Sequence, residues 1–155
     1  MASVQDLMVT DMVTARPREM VADVARRMIA NRVGAVMVVE DGVLLGLFSE
    51  RDLLTRVVGE HRDPQQTPVS SVATTEVVTI ERSAPFKAGL EVFRQRKFRH
   101  LPVTDGGKPV GILSTRDFLE YLVGGLERYI DDLKYRHDLE EGVDPYDHIG
   151  GAYGR

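Results

Sequence analysis

The sequence predicts an α+β protein in which two pseudo-symmetric βαββα repeats pack as one module, followed by an extra C-terminal helix and an irregular tail. The main observation is a stretch that occurs twice, as Val43–Leu54 and again as Lys108–Leu119, 65 residues later. Both copies contain Gly, two apolar residues, Ser-x-Arg-Asp and an apolar pair. Residues 4–54 and 69–119 share eleven identities in fifty-one pairs, where average composition gives roughly three. The second observation is the pattern of apolar residues around both copies. Together they indicate an internal duplication.

The first repeat is predicted to run strand, helix, strand, strand, helix. A brief strand ends at Val13-Thr14, and the following helix has stop signals at Asn31 and Gly34. The run Ala35–Val39 is typical of a buried strand, and Asp41-Gly42 predicts a hairpin turn. The next strand ends near Phe48 and leads into a helix from Glu50 to about Val58. The buried face of the first helix is predicted from the spacing of Val21, Val24, Ala25, Met28 and Ile29.

The second repeat follows a polar, breaker-rich linker and has the same order of elements. Val77–Ile80 predicts the short strand, Ser83-Ala84-Pro85 predicts a helix start capped by Ser83, and His100–Val103 predicts the buried strand. The helix is predicted to bury Phe86, Gly89, Leu90 and Phe93. The predicted domains are residues 4–58 for the first repeat, 59–67 for the linker, 68–120 for the second repeat and 121–155 for a C-terminal helix and tail.

The C-terminal helix is predicted from apolar residues at nearly heptad spacing, and Gly124-Gly125 weakens it by about 1 kcal/mol per glycine relative to alanine. Residues after Glu141 show no periodicity and are predicted to be irregular. The apolar stripe exceeds what the module obviously covers, which favours a two-fold symmetric homodimer. It consists of Leu119, Leu122, Leu126, Tyr129, Ile130 and Leu133.

The composition of the chain argues against several classes of function. A net charge of −4 argues against a general nucleic-acid binder, and the absence of cysteine excludes disulfide and thiol chemistry. Neither a signal peptide nor an apolar run of about 18 residues is visible. We therefore expect a cytoplasmic protein without a membrane partner. One local basic cluster lacks interleaved aromatic residues and is interpreted as a solvated helix face. Its members are Lys87, Arg94, Arg96, Lys97 and Arg99.

The sequence offers no support for catalysis or for a metal site. Neither Gly-x-Ser-x-Gly nor a P-loop motif occurs. The pair His137-Asp138 is interpreted as surface charge. The four histidines are scattered without an i, i+4 pair, which argues against zinc; they are His61, His100, His137 and His148. We expect no catalytic residues, no metal and no cofactor.

The repeated Ser-x-x-Asp can be interpreted in two ways. It is a capping box, in which Ser accepts a hydrogen bond from a backbone N–H and the acid reaches back to the cap residue. Two copies in one register also suit a nucleotide site. A helix N-terminus attracts phosphate, and Asp52 and Asp117 could accept hydrogen bonds from a ribose diol. Gly46 and Gly111 are expected to leave room for the ligand.

The sequence resembles a tandem pair of cystathionine-β-synthase (CBS) domains, the Bateman module. The family motif Gly-apolar-x-Ser/Thr-x-x-Asp is met by Gly46–Asp52 and Gly111–Asp117. Val4–Met8 with Val13-Thr14, and the run Phe98–Val103, also fit the family. The resemblance covers about residues 4–120. It implies a regulatory protein that binds AMP, ADP, ATP or S-adenosylmethionine in clefts between the repeats and dimerises into a disc.

The resemblance also implies a role for individual residues. Asp52 and Asp117 match the ribose-binding acids, and Ser49 and Ser114 match hydroxyls beside the ribose and phosphate, with Thr115 as a substitute. Segments whose backbone contacts adenine are matched by Val13, Thr14 and Ala15 and by Val78, Thr79 and Ile80. Basic positions that contact phosphate are matched by Arg99 and His100, which the first repeat replaces with Gly34 and Ala35. Arg51 and Arg116 either supply the phosphate contact that the first repeat lacks at Gly34 and Ala35, or are solvated charges on their helices.

The sequence thus predicts a stand-alone ligand-sensing module that signals energy or metabolite state to an effector protein. The site that uses Arg99 and His100 is expected to bind phosphorylated ligands more tightly than the other. The alternative is a structural dimerisation scaffold whose repeated junctions serve only as helix caps.

Overall fold

The computed structural model describes residues 2–142, which divide into a unit ending at Asp117 and a unit beginning at Phe118. The first unit contains two three-stranded sheets of identical topology, in the strand orders β1-β2-β3 and β4-β5-β6. In each sheet the short first strand is parallel to the central strand, which forms an antiparallel hairpin with the third. The strands are β1 (Thr14–Ala15), β2 (Ala35–Glu40), β3 (Val43–Ser49), β4 (Ile80–Glu81), β5 (His100–Asp105) and β6 (Lys108–Ser114).

Helices complete each repeat in the predicted order, so the α+β fold of two βαββα repeats is confirmed. Helix α1 spans Val21–Asn31 and α3 spans Phe86–Arg96. Helix α2 begins with an α-helical turn, Glu50–Asp52, and continues as a π-helix over Leu53–Val58. Helix α4, Thr115–Glu140, follows β6 directly. No helix among the described residues is both long and apolar enough to span a bilayer.

The buried core reflects the predicted patterns. Four consecutive residues of β2, Ala35–Val38, are buried, as a strand covered on both faces requires. The register of both hairpins shifts at equivalent places, between Val38 and Val39 and between Val103 and Thr104. The duplication therefore extends to the backbone irregularity in the central strand.

The segments that precede β1 and β4 are exchanged between the repeats. The first, with its 3₁₀ turn Val4–Asp6, bridges to Pro85 and Ile112 of the second repeat through Ser3 and Val9. The second, with its 3₁₀ turn Val69–Ser71, bridges to Met20 and Leu47 of the first repeat through Pro68 and Thr74. The four bridges form two pairs that the 65-residue offset relates. The Ser3–Pro85 bridge corresponds to the Pro68–Met20 bridge, and the Val9–Ile112 bridge corresponds to the Thr74–Leu47 bridge. Each repeat thus contributes a backbone segment to the sheet surface of the other.

This exchange corrects the expected role of Gly46 and Gly111. A Cβ at Gly46 would lie 2.9 Å from the carbonyl oxygen of Thr74, and one at Gly111 would lie 2.9 Å from that of Val9. These glycines make room for the exchanged backbone rather than for a ligand.

Several local predictions are wrong. Ile29 is 77% exposed instead of buried. Of the two predicted stop signals of α1, Asn31 is its last residue, and Arg32 rather than Gly34 follows it in the left-handed conformation. Pro85 rather than Ser83 occupies the N-cap of α3, without a side-chain cap bond. The short strand of the second repeat begins at Ile80, because only Ile80 and Glu81 pair with β5.

Helix α4 continues through Gly124-Gly125 without interruption to Glu140. Its interior glycines are tolerated, although each costs about 1 kcal/mol relative to alanine. The predicted irregular tail lies almost entirely outside the described residues.

Candidate functional site

The two repeated junctions form complete capping boxes. Asp52 Oδ2 accepts hydrogen bonds from the Ser49 amide at 2.9 Å and the Ser49 hydroxyl at 3.0 Å, and the Asp52 amide donates to Ser49 Oγ at 3.3 Å. Asp117 and Ser114 make the same three hydrogen bonds. The capping interpretation is therefore confirmed for both copies. It leaves the second carboxylate oxygen, Oδ1, available for other contacts.

The helix starts are also tied to the preceding sheet. The Glu50 amide donates to the carbonyl of Gly34, and the Thr115 amide donates to the carbonyl of Arg99, both at 3.0 Å. Of the first three amides of α4, those of Thr115 and Asp117 are thus paired within the protein. A phosphate at this helix terminus would therefore depend mainly on side-chain cations rather than on several free amides.

The larger concavity, here called cleft 1, has a volume of about 610 Å³ and joins the first repeat to the junction of the second. One wall is the segment Asp11–Val13, and the opposite wall is the junction Ser114–Asp117. Met28, Leu53 and Ile112 supply apolar surface to its lining. The volume falls within the range of about 300–1,000 Å³ that is usual for small-molecule sites.

The smaller concavity, here called cleft 2, has a volume of about 200 Å³ and reverses the roles of the repeats. Its walls are the segment Glu76–Val78 and the junction Ser49–Asp52. The 65-residue offset relates Glu76–Val78 to Asp11–Val13. The two clefts are thus repeat-related but differ in size.

The clefts bring together most of the residues that the sequence predicted. Cleft 1 contains Val13, Arg99, His100, Ser114, Thr115, Arg116 and Asp117 in its lining. Cleft 2 contains Ser49, Arg51, Asp52, Val78, Arg99 and His100 in its lining. Neither lining includes Thr14, Ala15, Thr79 or Ile80. Ala15 and Ile80 are buried instead, and the Thr14 carbonyl accepts a hydrogen bond from Arg27.

Arg99 and His100 line both clefts, whereas the sequence interpretation associated them with one of the two sites. Gly34, which is equivalent to Arg99 in the first repeat, lies beside His100. A Cβ at Gly34 would lie 3.4 Å from the imidazole of His100 and 3.5 Å from the carboxylate carbon of Glu50. The imidazole of His100 thus packs beside Gly34, at a distance that a small side chain would also allow.

The environment of His100 favours its neutral form. Burial of the imidazole lowers the pKa of His100 below its usual range, and the positive charge of Arg99 lowers it further. Glu50 and Asp117 act in the opposite direction without reversing the shift. An anion placed beside His100 would favour the protonated form.

The two acids of the junctions differ in their remaining contacts. Asp52 Oδ1 lies 3.6 Å from Arg56 Nε, and Arg56 also donates to the carbonyls of Val72 and Ala73. Asp52 is buried, whereas Asp117 is half-buried. Within residues 2–142, Asp117 Oδ1 has neither a hydrogen bond nor an ion pair.

The charge balance also differs between the clefts. Cleft 1 is lined by three arginines, Arg32, Arg99 and Arg116, and by three acids, Asp11, Glu50 and Asp117. Cleft 2 is lined by two arginines, Arg51 and Arg99, and by three acids, Glu50, Asp52 and Glu76. Cleft 1 is therefore the better environment for an anion.

The sequence interpretation missed several lining residues, including Asp11, Met12, Arg32, Glu50, Glu76 and Val77. The 65-residue offset pairs Asp11 with Glu76 and Met12 with Val77. Comparison of the two repeats could therefore have added these four residues to the predicted sites. No group of three or more His, Cys, Asp or Glu side chains suited to a metal ion occurs in the described part of the chain.

Comparisons with known proteins match the duplicated fold. The family model for the CBS domain matches residues 4–59 and 69–124. The CBS domain-containing protein YhcV of Bacillus subtilis is 37% identical over 117 residues, covering 76% of this chain and 83% of its own length. A crystal structure of a CBS-domain-containing protein from Agrobacterium tumefaciens is 34% identical, with a TM-score of 0.70, covering 77% of this chain and 97% of its own.

A third similar protein was crystallised with a ligand. The CBS domain protein of Pyrobaculum aerophilum complexed with AMP is 27% identical, with a TM-score of 0.69. The match covers 75% of this chain and 89% of that protein.

Proposed function

Because this chain belongs to the CBS domain family and contains two CBS domains in tandem, we propose that it is a regulatory protein that binds an adenine nucleotide or related adenosyl ligand. Cleft 1 is the principal site, and occupancy is communicated to an effector protein. One observation supports this proposal. In each cleft, the Ser-x-x-Asp junction of one repeat faces the segment that precedes the first strand of the other repeat. The proposed role requires no catalytic group.

In cleft 1 the ligand is proposed to lie between its two walls. The ribose diol donates hydrogen bonds to Asp117 Oδ1, while Oδ2 continues to cap α4. Hydrogen bonds to a charged acceptor contribute roughly 1.5–3 kcal/mol each. The base packs against the apolar lining near Met12 and Val13, and the phosphate approaches Arg99.

Cleft 2 is proposed as a weaker site. Its volume of about 200 Å³ is below the usual range for small-molecule sites, and Arg56 approaches the oxygen of Asp52 that a diol would need. Its lining also carries one more acid than arginine. These features predict unequal affinities for phosphorylated ligands.

The test is a thermal-shift screen with AMP, ADP, ATP, NADH and S-adenosylmethionine, followed by calorimetry. A ligand at 100 times its Kd should raise the free energy of unfolding by about 2.7 kcal/mol. No shift with any of the five would contradict the proposal. It would favour a dimerisation scaffold, an alternative supported by the complete capping boxes and the exposed apolar side chains of α4.

We also propose that the protein forms a homodimer. Exposed apolar side chains recur along α4, and contiguous apolar surface of this kind usually marks an interface. Sedimentation at micromolar concentration should detect the dimer. A monomer under these conditions would contradict the proposal without bearing on ligand binding.

A further inference from the structure

The two clefts have one wall in common. Four residues line both of them, namely Gly34, Glu50, Arg99 and His100, and we call these four the shared wall. Every other described residue of either lining belongs to one cleft only. A ligand in either cleft therefore lies against the same side chains, so the occupancy of one cleft bears on what the other can bind.

The shared wall carries a single arginine because the repeats differ at this point. The 65-residue offset relates Arg99 to Gly34 and His100 to Ala35, so only the second repeat supplies basic residues here. A chain with a basic residue in both repeats would have one cation here for each cleft. This chain has one arginine for both.

The charge that the shared wall can offer is small. The Arg99 side chain is exposed, and within residues 2–142 its guanidinium has neither an ion pair nor a hydrogen bond, so it is available to a phosphate in either cleft. It carries one positive charge, which the carboxylate of Glu50 in the same wall offsets. A phosphate monoester carries about −1.5 to −2 charges at pH 7. The shared wall therefore cannot compensate two phosphates at once.

Cleft 2 depends on Arg99 more than cleft 1 does. Without it, the lining of cleft 2 has Arg51 against three acids, whereas cleft 1 retains Arg32 and Arg116. A phosphate that engages Arg99 from cleft 1 thus leaves cleft 2 with an excess of negative charge. A second phosphate in cleft 2 would meet this excess as well as the first phosphate, and bringing like charges together is unfavourable.

We infer that phosphorylated ligands in the two clefts oppose each other, and that a nucleotide in cleft 1 leaves cleft 2 to an uncharged adenosyl ligand. This rests on the proposed function and names how its two sites are regulated. Adenosine makes no demand on Arg99, and it is the smaller ligand for the smaller cleft. Because linkage is reciprocal, a phosphate in cleft 2 weakens the nucleotide in cleft 1 by the same factor, and couplings between sites are commonly about 5–150-fold.

The test measures AMP binding to cleft 2 when cleft 1 is blocked in two different ways. Ala25→Trp fills the apolar lining without a change of charge, and Asp117→Asn removes the carboxylate proposed to bind ribose. Both residues line cleft 1 and not cleft 2. The matched control is Ala30→Trp, an exposed position of α1 that lines neither cleft. Circular dichroism should show that all three variants fold.

Calorimetry then compares the weaker of the two binding events. For AMP, this event should strengthen at least about fivefold in both blocked variants and stay unchanged in the control. For adenosine, it should keep its wild-type affinity in every variant. Adding Asp52→Ala should remove the event, which assigns it to cleft 2. In an Arg99→Ala background the strengthening should shrink, because neither cleft then has that cation to lose.

The outcomes separate this inference from the proposed function. A weaker AMP event that keeps its wild-type affinity in both blocked variants would overturn the inference alone. So would a strengthening that persists in full with Arg99→Ala. If wild-type protein shows a single AMP event, the blocked variants should still bind one AMP that Asp52→Ala removes, and no binding there would also overturn it. Wild-type protein that binds neither AMP nor adenosine would overturn the inference together with the adenosine-based ligand proposal.

Discussion

Arg56 Nε lies 3.6 Å from Asp52 Oδ1, on the one oxygen of that carboxylate that the capping box does not use. The equivalent oxygen of Asp117 has no ion pair within residues 2–142. Two junctions that are identical in sequence pattern therefore differ in what they can offer to a ligand. The difference arises outside the repeated motif, at position 56, which the 65-residue offset relates to Tyr121 rather than to a cation.

Replacing Asp117 tests the ribose contact. Asp117→Ala should lower the affinity for AMP by one to two powers of ten, as hydrogen bonds to a charged acceptor are lost. The matched change Asp52→Ala should leave cleft 1 nearly unaffected. Both variants should lose about 0.5–2 kcal/mol of stability, because both acids cap helices.

Stability measurements therefore cannot distinguish the capping role of Asp117 from its ribose-binding role, but a 2′-deoxy ligand can. Calorimetry should show that wild-type protein discriminates strongly against 2′-deoxy-AMP and that Asp117→Ala discriminates little. Equal discrimination by both proteins would leave Asp117 with the capping role alone.

Removing Arg56 should make cleft 2 more receptive. In Arg56→Met the oxygen of Asp52 loses its cation, so a second, weaker AMP binding event should strengthen in calorimetry at high ligand excess. Stability should fall by about 0.5–1.5 kcal/mol, as the hydrogen bonds to the Val72 and Ala73 carbonyls are lost. The control is Arg62→Met, whose partially exposed pair with Glu60 lies outside both clefts. A second event that is unchanged in Arg56→Met would show that this arginine does not restrict cleft 2.

Arg99 should contribute to both clefts, because it lines both. Arg99→Ala is expected to weaken AMP more than adenosine, by about 1.5–3 kcal/mol where the contact is desolvated. Arg94→Ala, an exposed arginine of α3 paired with Glu91, is the control. If both AMP binding events are indifferent to Arg99→Ala, the phosphate must be held elsewhere.

The duplication accounts for how much of this arrangement could be read from the sequence. Repetition of Gly-apolar-apolar-Ser-x-Arg-Asp at one offset predicted the hairpins, both capping boxes and the fold. It could not show that Arg99 and His100 line both clefts, because that depends on how the two repeats pack in three dimensions. Periodicity likewise assigned Ile29 to the buried face of α1, whereas its side chain is largely exposed.

Local sequence patterns also could not predict the exchange of segments between the repeats. Gly46 and Gly111 were interpreted as ligand space because glycine permits any close approach. Which backbone approaches is decided by pairing between residues such as Leu47 and Thr74, far apart in the chain. Spacing within one repeat contains no information about that pairing.

The glycines give a direct test of the exchange. Gly46→Ala should destabilise the protein by roughly 1–3 kcal/mol, since its Cβ would meet the Thr74 carbonyl oxygen at 2.9 Å. Gly124→Ala in α4 meets no atom closer than 3.6 Å and should stabilise by up to about 1 kcal/mol. Denaturant unfolding measures both changes. A Gly46→Ala protein as stable as the wild type would mean that the exchanged segment can move away without loss.

His100 should give ligand binding a defined pH dependence. Its pKa is lowered by burial and by Arg99 in the free protein, with Glu50 and Asp117 opposing. A phosphate beside the imidazole would raise that pKa, so AMP binding should take up protons at pH values between the lowered pKa of the free protein and the higher pKa of the complex. The AMP phosphate also titrates near this range, so His100→Gln is the reference for subtraction. Calorimetry in buffers of different ionisation enthalpy measures the uptake.

The lowered pKa of His100 also determines whether the stability of the ligand-free protein rises or falls with pH. A histidine whose folded pKa is lowered binds fewer protons when folded than when unfolded, so the free energy of unfolding rises with pH. Stability should be retained above the unfolded pKa of about 6.5 and lost as the pH falls through it toward the lower folded pKa. His100→Gln should flatten this part of the profile. If wild type and His100→Gln lose stability in parallel from pH 7.5 to 5.5 and take up equal numbers of protons with AMP, His100 is neither the titrating group nor a phosphate contact.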